Sequence, residues 1–196
     1  MSLCSKPPKS NQSPDTEPPQ RSPAWFCQRL GKVTSSRAPA VIGLYGKKEF
    51  DNNWQLILRK ENEPTKNYPN FNIGIALESE AADSFSKEVG VELTTPGFVP
   101  LPGSQRYGAS PDRVFQGDIC KNRLYTNNGD IVSLPPRCLL EIKTRSEGQS
   151  EPLHAVTGAH ICQVNLQLHC TSVDCALLQS FVPETKKSNF FSYQKE

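Results

Sequence analysis

Apolar positions repeat at helical spacing most clearly at Ile73, Leu77, Ala81 and Phe85, four apart on one face, with Gly90 following as a stop. The pattern predicts a helix over residues 73–89. Glu78 falls one position from its apolar stripe, at the border of the buried face. A second helical run covers 155–170 through Ala159, Ile161, Cys162, Leu166 and Leu168. Nearer the N-terminus, residues 25–31 read as a short amphipathic helix. Thr34 or Ser35 then offers a cap for a helix through Ala40, Val41, Ile42 and Leu44, with Pro39 in its first turn, where the missing N–H costs little. Residues 46–72 are polar, with Trp54, Leu56, Ile57 and Leu58 interspersed, and read as helix and loop.

Strand patterns occupy 97–101, 107–115 and 138–144, short aliphatic segments punctuated by Gly, Pro or Asn. Asn127-Asn128-Gly129-Asp130 between the last two predicts a turn or exposed loop. After a loop at 146–152 and the second helix, 176–182 reads as a strand, 184–189 as a turn and 190–194 as a final short strand. This order predicts an α/β (α+β) fold in which a central mixed β-sheet, containing an antiparallel hairpin, is flanked by helices.

Residues 1–23 stand apart. They carry Pro7, Pro8, Pro14, Pro18, Pro19 and Pro23 among Ser, Gln and Lys, and no aromatic residue, so they bury too little apolar surface to offset the entropy of ordering. They read as a disordered tail, and a single domain is expected over 24–196. The chain has 196 residues, and 22 Lys+Arg against 20 Asp+Glu leave a net charge of +2. That balance excludes a histone-like arm and an acidic disordered chain, so any nucleic-acid contact must come from a local patch. No run approaches the roughly 18 apolar residues of a membrane span, and no apolar signal-peptide core is present. An intracellular protein is expected, nuclear in a eukaryote and cytoplasmic otherwise, with no membrane partner. The 7 cysteines are odd in number and none forms a CxxC pair, which favours reduced thiols over a disulfide framework.

Candidate chemistry concentrates in Ser110-Pro111-Asp112 and Glu141-Ile142-Lys143. Strand alternation puts Glu141 and Lys143 on one face and Ile142 on the other, so two charged side chains project from an otherwise apolar strand. Such charges are costly unless they meet a partner or a metal. Antiparallel pairing brings Asp112 close to Glu141, and two carboxylates held together suit a hard divalent cation such as Mg²⁺. Lys143 beside them can orient or deprotonate a water, or stabilise charge on a phosphate. An Asp, a Glu and a Lys on adjacent strands are nonetheless more often a solvated face than a catalytic site.

Five segments in order carry a resemblance. They are residues 25–36 (WFCQRLGKVTSS), 74–81 (GIALESEA), 108–112 (GASPD), 140–143 (LEIK) and 163–167 (QVNLQ). Together they resemble the YqaJ-type viral recombinase nucleases, the group of phage lambda exonuclease, over about residues 25 to 194. The resemblance implies a restriction-endonuclease-like core of the PD-(D/E)xK type that hydrolyses DNA phosphodiesters with Mg²⁺, or with Mn²⁺ in its place. It implies metal binding by Asp112, Glu141, the Ile142 carbonyl and Glu78, water activation by Lys143, and positioning of the lysine or water by Gln163. It also implies that Arg29, Ser36 and Ser110 contact a terminal 5′-phosphate, which gives a 5′-to-3′ exonuclease on double-stranded DNA ends in recombination or repair. A single-strand annealing protein and a homo-oligomer are further partners it suggests. Thr144-Arg145 stands where many relatives have Cys-Pro, and Glu196 follows soon after the last strand where relatives commonly continue into a helix, which leaves the oligomeric state open.

Taken singly, Ser36 reads as a helix cap, Arg29 as a surface cation and Trp25 as a core anchor. Glu78 and Gln163 read as helix-surface residues. His154, His160 and His169 lie near Cys162, Cys170 and Cys175 but match no common zinc spacing, so they read as structural. Lys47-Lys48 and Lys186-Lys187 read as solvated. Three alternatives remain open from the residues: an endonuclease on the same scaffold, a catalytically silent DNA-binding module, and a zinc-dependent interaction domain.

Overall fold

A computed structural model describes residues 17–61, 69–116, 124–125, 131–132, 135–145 and 148–195. Residues 1–16 of the N-terminal segment and the Asn127–Asp130 turn lie outside the described residues. The chain opens with α1 (Pro23–Arg29), β1 (Val33–Thr34), α2 (Ala38–Val41), α3 (Lys47–Arg59) and α4 (Pro69–Val89). Short strands follow: β2 (Glu92–Thr94), β3 (Val99–Pro100), β4 (Tyr107–Ala109), β5 (Arg113–Gln116), β6 (Leu124–Tyr125) and β7 (Ile131–Val132). The longer β8 (Arg137–Thr144), α5 (Gly158–Thr171), β9 (Cys175–Val182) and β10 (Lys187–Gln194) complete it.

The principal sheet has the order β10-β9-β8-β5-β2, with β8 and β9 parallel and the remaining pairs antiparallel. Helix α5 connects the parallel pair, as a parallel crossover requires. On one face Ala81, Ala82, Phe85 and Val89 of α4 pack over Cys138, Leu140, Ile142, Leu177 and Phe181. On the other, Val164 and Leu168 of α5 cover Leu139, Ala176 and Leu178. The outer side of α5 is covered in turn, since Cys162 and Leu166 join the cluster of Val33, Ala38, Val41 and Ile57. Strand β9 is therefore buried along its whole length. Among the described residues no helix is long and apolar enough to cross a membrane.

Three expectations for the helices and strands of the domain change. The single strand over 107–115 is two strands in different sheets: β4 pairs with β1 and β3, whereas β5 pairs with β2 and β8. The break falls at Ser110-Pro111-Asp112, where Pro111 has no N–H for a ladder. Neither Thr34 nor Ser35 caps α2, whose N-cap is Arg37 without a side-chain cap bond. The Thr34 and Ser36 hydroxyls turn instead toward Arg29. The helix ends at Val41, leaving Ile42 and Leu44 exposed. Finally, β10 starts at Lys187, because its register continues from Lys187 opposite Val182 to Gln194 opposite Cys175.

Residues 17–22 are tied to the body. Glu17 accepts from the Gly97 amide at 3.0 Å, and the Gln20 amide donates to the Pro96 and Pro111 carbonyls at 2.7 and 2.8 Å. Composition placed these residues in a tail because single-chain composition does not register bonds to partners so far along the chain.

Gly108, in the GASPD segment, lies under the Phe98 ring, and a Cβ there would overlap it. Replacing Gly108 with Ala is expected to cost roughly 1–3 kcal/mol, as overpacking does. Thermal unfolding checks this, and an unchanged melting temperature would mean that Phe98 moves aside freely.

Candidate active site

Register builds the site. Antiparallel pairing of β5 with β8 sets Arg113 opposite Leu140, so Asp112, just before β5, comes alongside Glu141 and Ile142. The Ile142 N–H donates to Asp112 Oδ2 at 2.7 Å. Ile142 itself faces the α4 side of the core, whereas Glu141 and Lys143 face α5. The alternation expected along β8 thus holds.

Glu141 is 2% exposed, and three donors satisfy it. Lys143 Nζ and Gln163 Nε2 reach Oε1 at 2.7 and 2.5 Å, and Gln167 Nε2 reaches Oε2 at 2.6 Å. Lys143 Nζ also donates to Gln163 Oε1 at 3.0 Å, which closes a ring of carboxylate, ammonium and amide. Helix α5 aims both amides, since Gln163 and Gln167 are four apart on one face. The helix starts at Gly158 because Thr157 and His160 form a reciprocal capping box.

Charge is unevenly balanced here. Burial, then the nearby Glu141 and Glu78, push the Asp112 carboxyl well above its usual range, against the opposing pull of Lys143 and the Ile142 N–H. Burial disfavours the Lys143 ammonium, but Glu141, Asp112, the hydrogen bond to Glu141 and Tyr45 together hold it above its ordinary value. His160, lowered by burial and by Lys143, sits at the rim of the same cluster.

Glu78 stands close enough to act on Asp112, yet both of its oxygens are engaged. Arg113 donates to Oε1 at 2.9 Å and Arg21 to Oε2 at 2.6 Å. Arg21, Glu17, Gln20, Glu78, Pro96 and Arg113 are among the residues lining a cavity of about 580 Å³.

A second constellation adjoins the first through Ser110. The Arg29 guanidinium reaches the hydroxyls of Ser110, Thr34 and Ser36 at 3.3, 3.4 and 3.3 Å and stacks 4.1 Å above the Trp25 ring. Trp25 is buried and also donates Nε1 to Ser110 Oγ at 3.0 Å. Arg29, Ser36 and Ser110, far apart in sequence, therefore meet.

Among the described residues no three His, Cys, Asp or Glu side chains converge closely enough to hold a metal ion. This covers the three histidines and their cysteine neighbours: His160 caps α5, and Cys175 packs against Cys138 in the core. It also leaves Glu78 with its arginines. Asp112 and Glu141 alone nevertheless fit Mg²⁺ in kind. They are hard oxygen donors, the Asp112 carboxyl is raised first by burial and then by the negative charges of Glu141 and Glu78, which a cation would offset, and Mg²⁺ usually takes one or two carboxylates plus water.

The residues that the motifs did not single out are Gln167, Thr34, Arg21 and Arg113. Gln167 had a signal, its one-turn spacing from Gln163. Arg21 had none, lying in a proline-rich stretch.

A match to the YqaJ-like viral recombinase domain spans residues 24–174. No curated protein matches the chain. Among solved structures, an alkaline exonuclease, LHK-Exo from Laribacter hongkongensis, is 21% identical with a TM-score of 0.65, over 89% of this chain and 83% of that one. The complex of LHK-Exo with dAMP gives 22% identity and the same TM-score and coverage. The shared architecture is the restriction-endonuclease-like core, with its mixed sheet between helices.

Proposed function

Because this chain belongs to the YqaJ-like viral recombinase domain family, we propose that it is a Mg²⁺-dependent DNA nuclease of the PD-(D/E)xK type, acting as a 5′-to-3′ exonuclease on double-stranded ends. The observation that carries this reading is the pairing of β5 with β8, which sets Asp112 beside a Glu141 already clamped by Lys143 and Gln163. Asp112, Glu141 and the Ile142 carbonyl would hold the metal, which when bound offsets phosphate charge and makes water more acidic. The exonuclease named in the solved structures supports the same reading.

In this account the protein's own groups divide the work. Asp112 is fixed by the Ile142 N–H, so its second oxygen is presented in one orientation. Lys143 keeps its proton beside Glu141 and Asp112, so its ammonium orients a water and balances charge at the phosphate rather than taking up a proton. The Gln163 carbonyl fixes Nζ from the side opposite the strand. Glu78, held between two arginines, adds negative charge behind Asp112. Arg29 offers a planar donor array to a terminal phosphate, and the Ser110 and Ser36 hydroxyls complete the cradle.

Linear duplex carrying 5′-phosphate, the same duplex with 5′-hydroxyl, and covalently closed circular DNA test the proposal. Mg²⁺-dependent loss of the first, with the circle intact, is expected. Arg29→Ala should erase the preference for 5′-phosphate, a loss of about 10–100-fold for a charge-assisted contact. Cleavage of the circle at the rate of the linear duplex overturns end capture, and an unchanged preference in Arg29→Ala removes Arg29 from it.

A further inference from the structure

Gln167 is fully buried on α5, among Val164 and Leu168, which pack on the sheet. Its side-chain amide N–H donates to Glu141 Oε2 at 2.6 Å, and its buried carbonyl Oε1 has no hydrogen-bond partner among the described residues. A buried carbonyl left unpaired is costly, and an apolar side chain of similar length would fill the same space without that cost. Packing therefore does not account for a glutamine here. What the amide uniquely supplies is the donor on the second oxygen of Glu141. Lys143 and Gln163 both act on the first oxygen, Oε1, so among the described residues Gln167 is the side chain that holds the second and fixes the rotation of the carboxylate.

We propose that Gln167 is a positioning residue for the nuclease site. It pins Oε2, and so fixes the plane of the Glu141 carboxylate that Lys143 and Gln163 share. The inference rests on the reading of Glu141 and Lys143 as working groups of a metal-dependent nuclease. Two amides one helical turn apart hold the two oxygens of one carboxylate, so Glu141 keeps a single orientation and Lys143 Nζ a single position. Groups that hold a ligating carboxylate typically change metal affinity or activity 10–100-fold when removed.

The test is Gln167→Leu in the full chain, with three measurements. Thermal unfolding establishes that the variant folds, and Gln167→Met, closer in shape, takes its place if it does not. Calorimetric titration with Mg²⁺ alone, without DNA, should give a Kd weakened by about tenfold. On 5′-phosphorylated linear duplex, kcat should fall roughly 10–100-fold while KM stays within about twofold, because Gln167 does not reach the solvent where DNA binds. A folded variant with unchanged kcat and unchanged Mg²⁺ affinity overturns the proposal, as does a raised KM at constant kcat. Lys143→Ala, run in parallel, separates the two failures. Full activity there overturns the nuclease-site reading itself, whereas an inactive Lys143→Ala beside a wild-type-like Gln167→Leu overturns only the role of Gln167.

Discussion

Asp112→Asn is expected to abolish DNA cleavage, by at least about a thousandfold as for a lost charge-stabilising group, and at the same time to make the protein more stable. The two effects share one cause. Burial and the charges of Glu141 and Glu78 raise the Asp112 carboxyl in the folded chain, so at neutral pH its negative charge is held at a cost. Each unit of that rise is worth about 1.4 kcal/mol. Asn removes the charge and keeps an oxygen for the Ile142 N–H, which now donates at 2.7 Å.

The pH dependence has a definite sign. A carboxyl raised on folding favours the folded state only while protonated, so the wild type loses stability as pH rises from the ordinary value of 3.8 through the raised one. The advantage of Asp112→Asn should be absent at the acid end, grow through that window and level off above it. Melting temperatures of both proteins across pH, in chelator, measure it. Adding Mg²⁺ should then raise the wild type alone, by mass action on the folded state. A variant that melts below the wild type at pH 8, or cleaves within tenfold of it, would contradict this account of Asp112.

Glu141→Leu should also eliminate cleavage, but with the opposite effect on stability, a loss of about 1–3 kcal/mol, as when a buried donor is left without its acceptor. Leu leaves Lys143 Nζ and Gln163 Nε2, both half-buried, and the fully buried Gln167 Nε2 without their shared acceptor. For a chain of this size roughly 2–4 °C is lost per kcal/mol, so the change is readily seen by calorimetry. Two carboxylates side by side thus differ in sign. Glu141 is repaid by three donors, and Asp112 by one backbone N–H. Equal and small shifts for both variants would show that the clamp around Glu141 contributes nothing.

Much of the fold was legible because its signals are local. The four-residue spacing of Leu77, Ala81 and Phe85 marks α4, and Ala81 and Phe85 are wholly buried there. The apolar run around Glu141 and Lys143 marks β8, and strand alternation alone sends both toward α5. The motif residues Asp112, Glu141, Lys143 and Gln163 meet as the spacing and the family resemblance suggested. The short strands were less legible: β2, with three residues, offers too little alternation to recognise, and its pairing with β5 is made by the sheet.

What the sequence by itself determined is the set of helices and strands with strong periods, the candidate residues Asp112, Glu141 and Lys143, and the family. The tertiary structure alone decided that Pro111 parts two sheets, that Arg21 and Arg113 hold Glu78 across 57 and 35 residues, and that Gln167 closes on Glu141 across 26. The physical reason is that backbone geometry repeats every two or 3.6 residues and writes itself into neighbouring positions. A hydrogen bond between distant residues has no such period. It exists only once the register of β5 on β8 and the packing of α5 bring its donor and acceptor within reach.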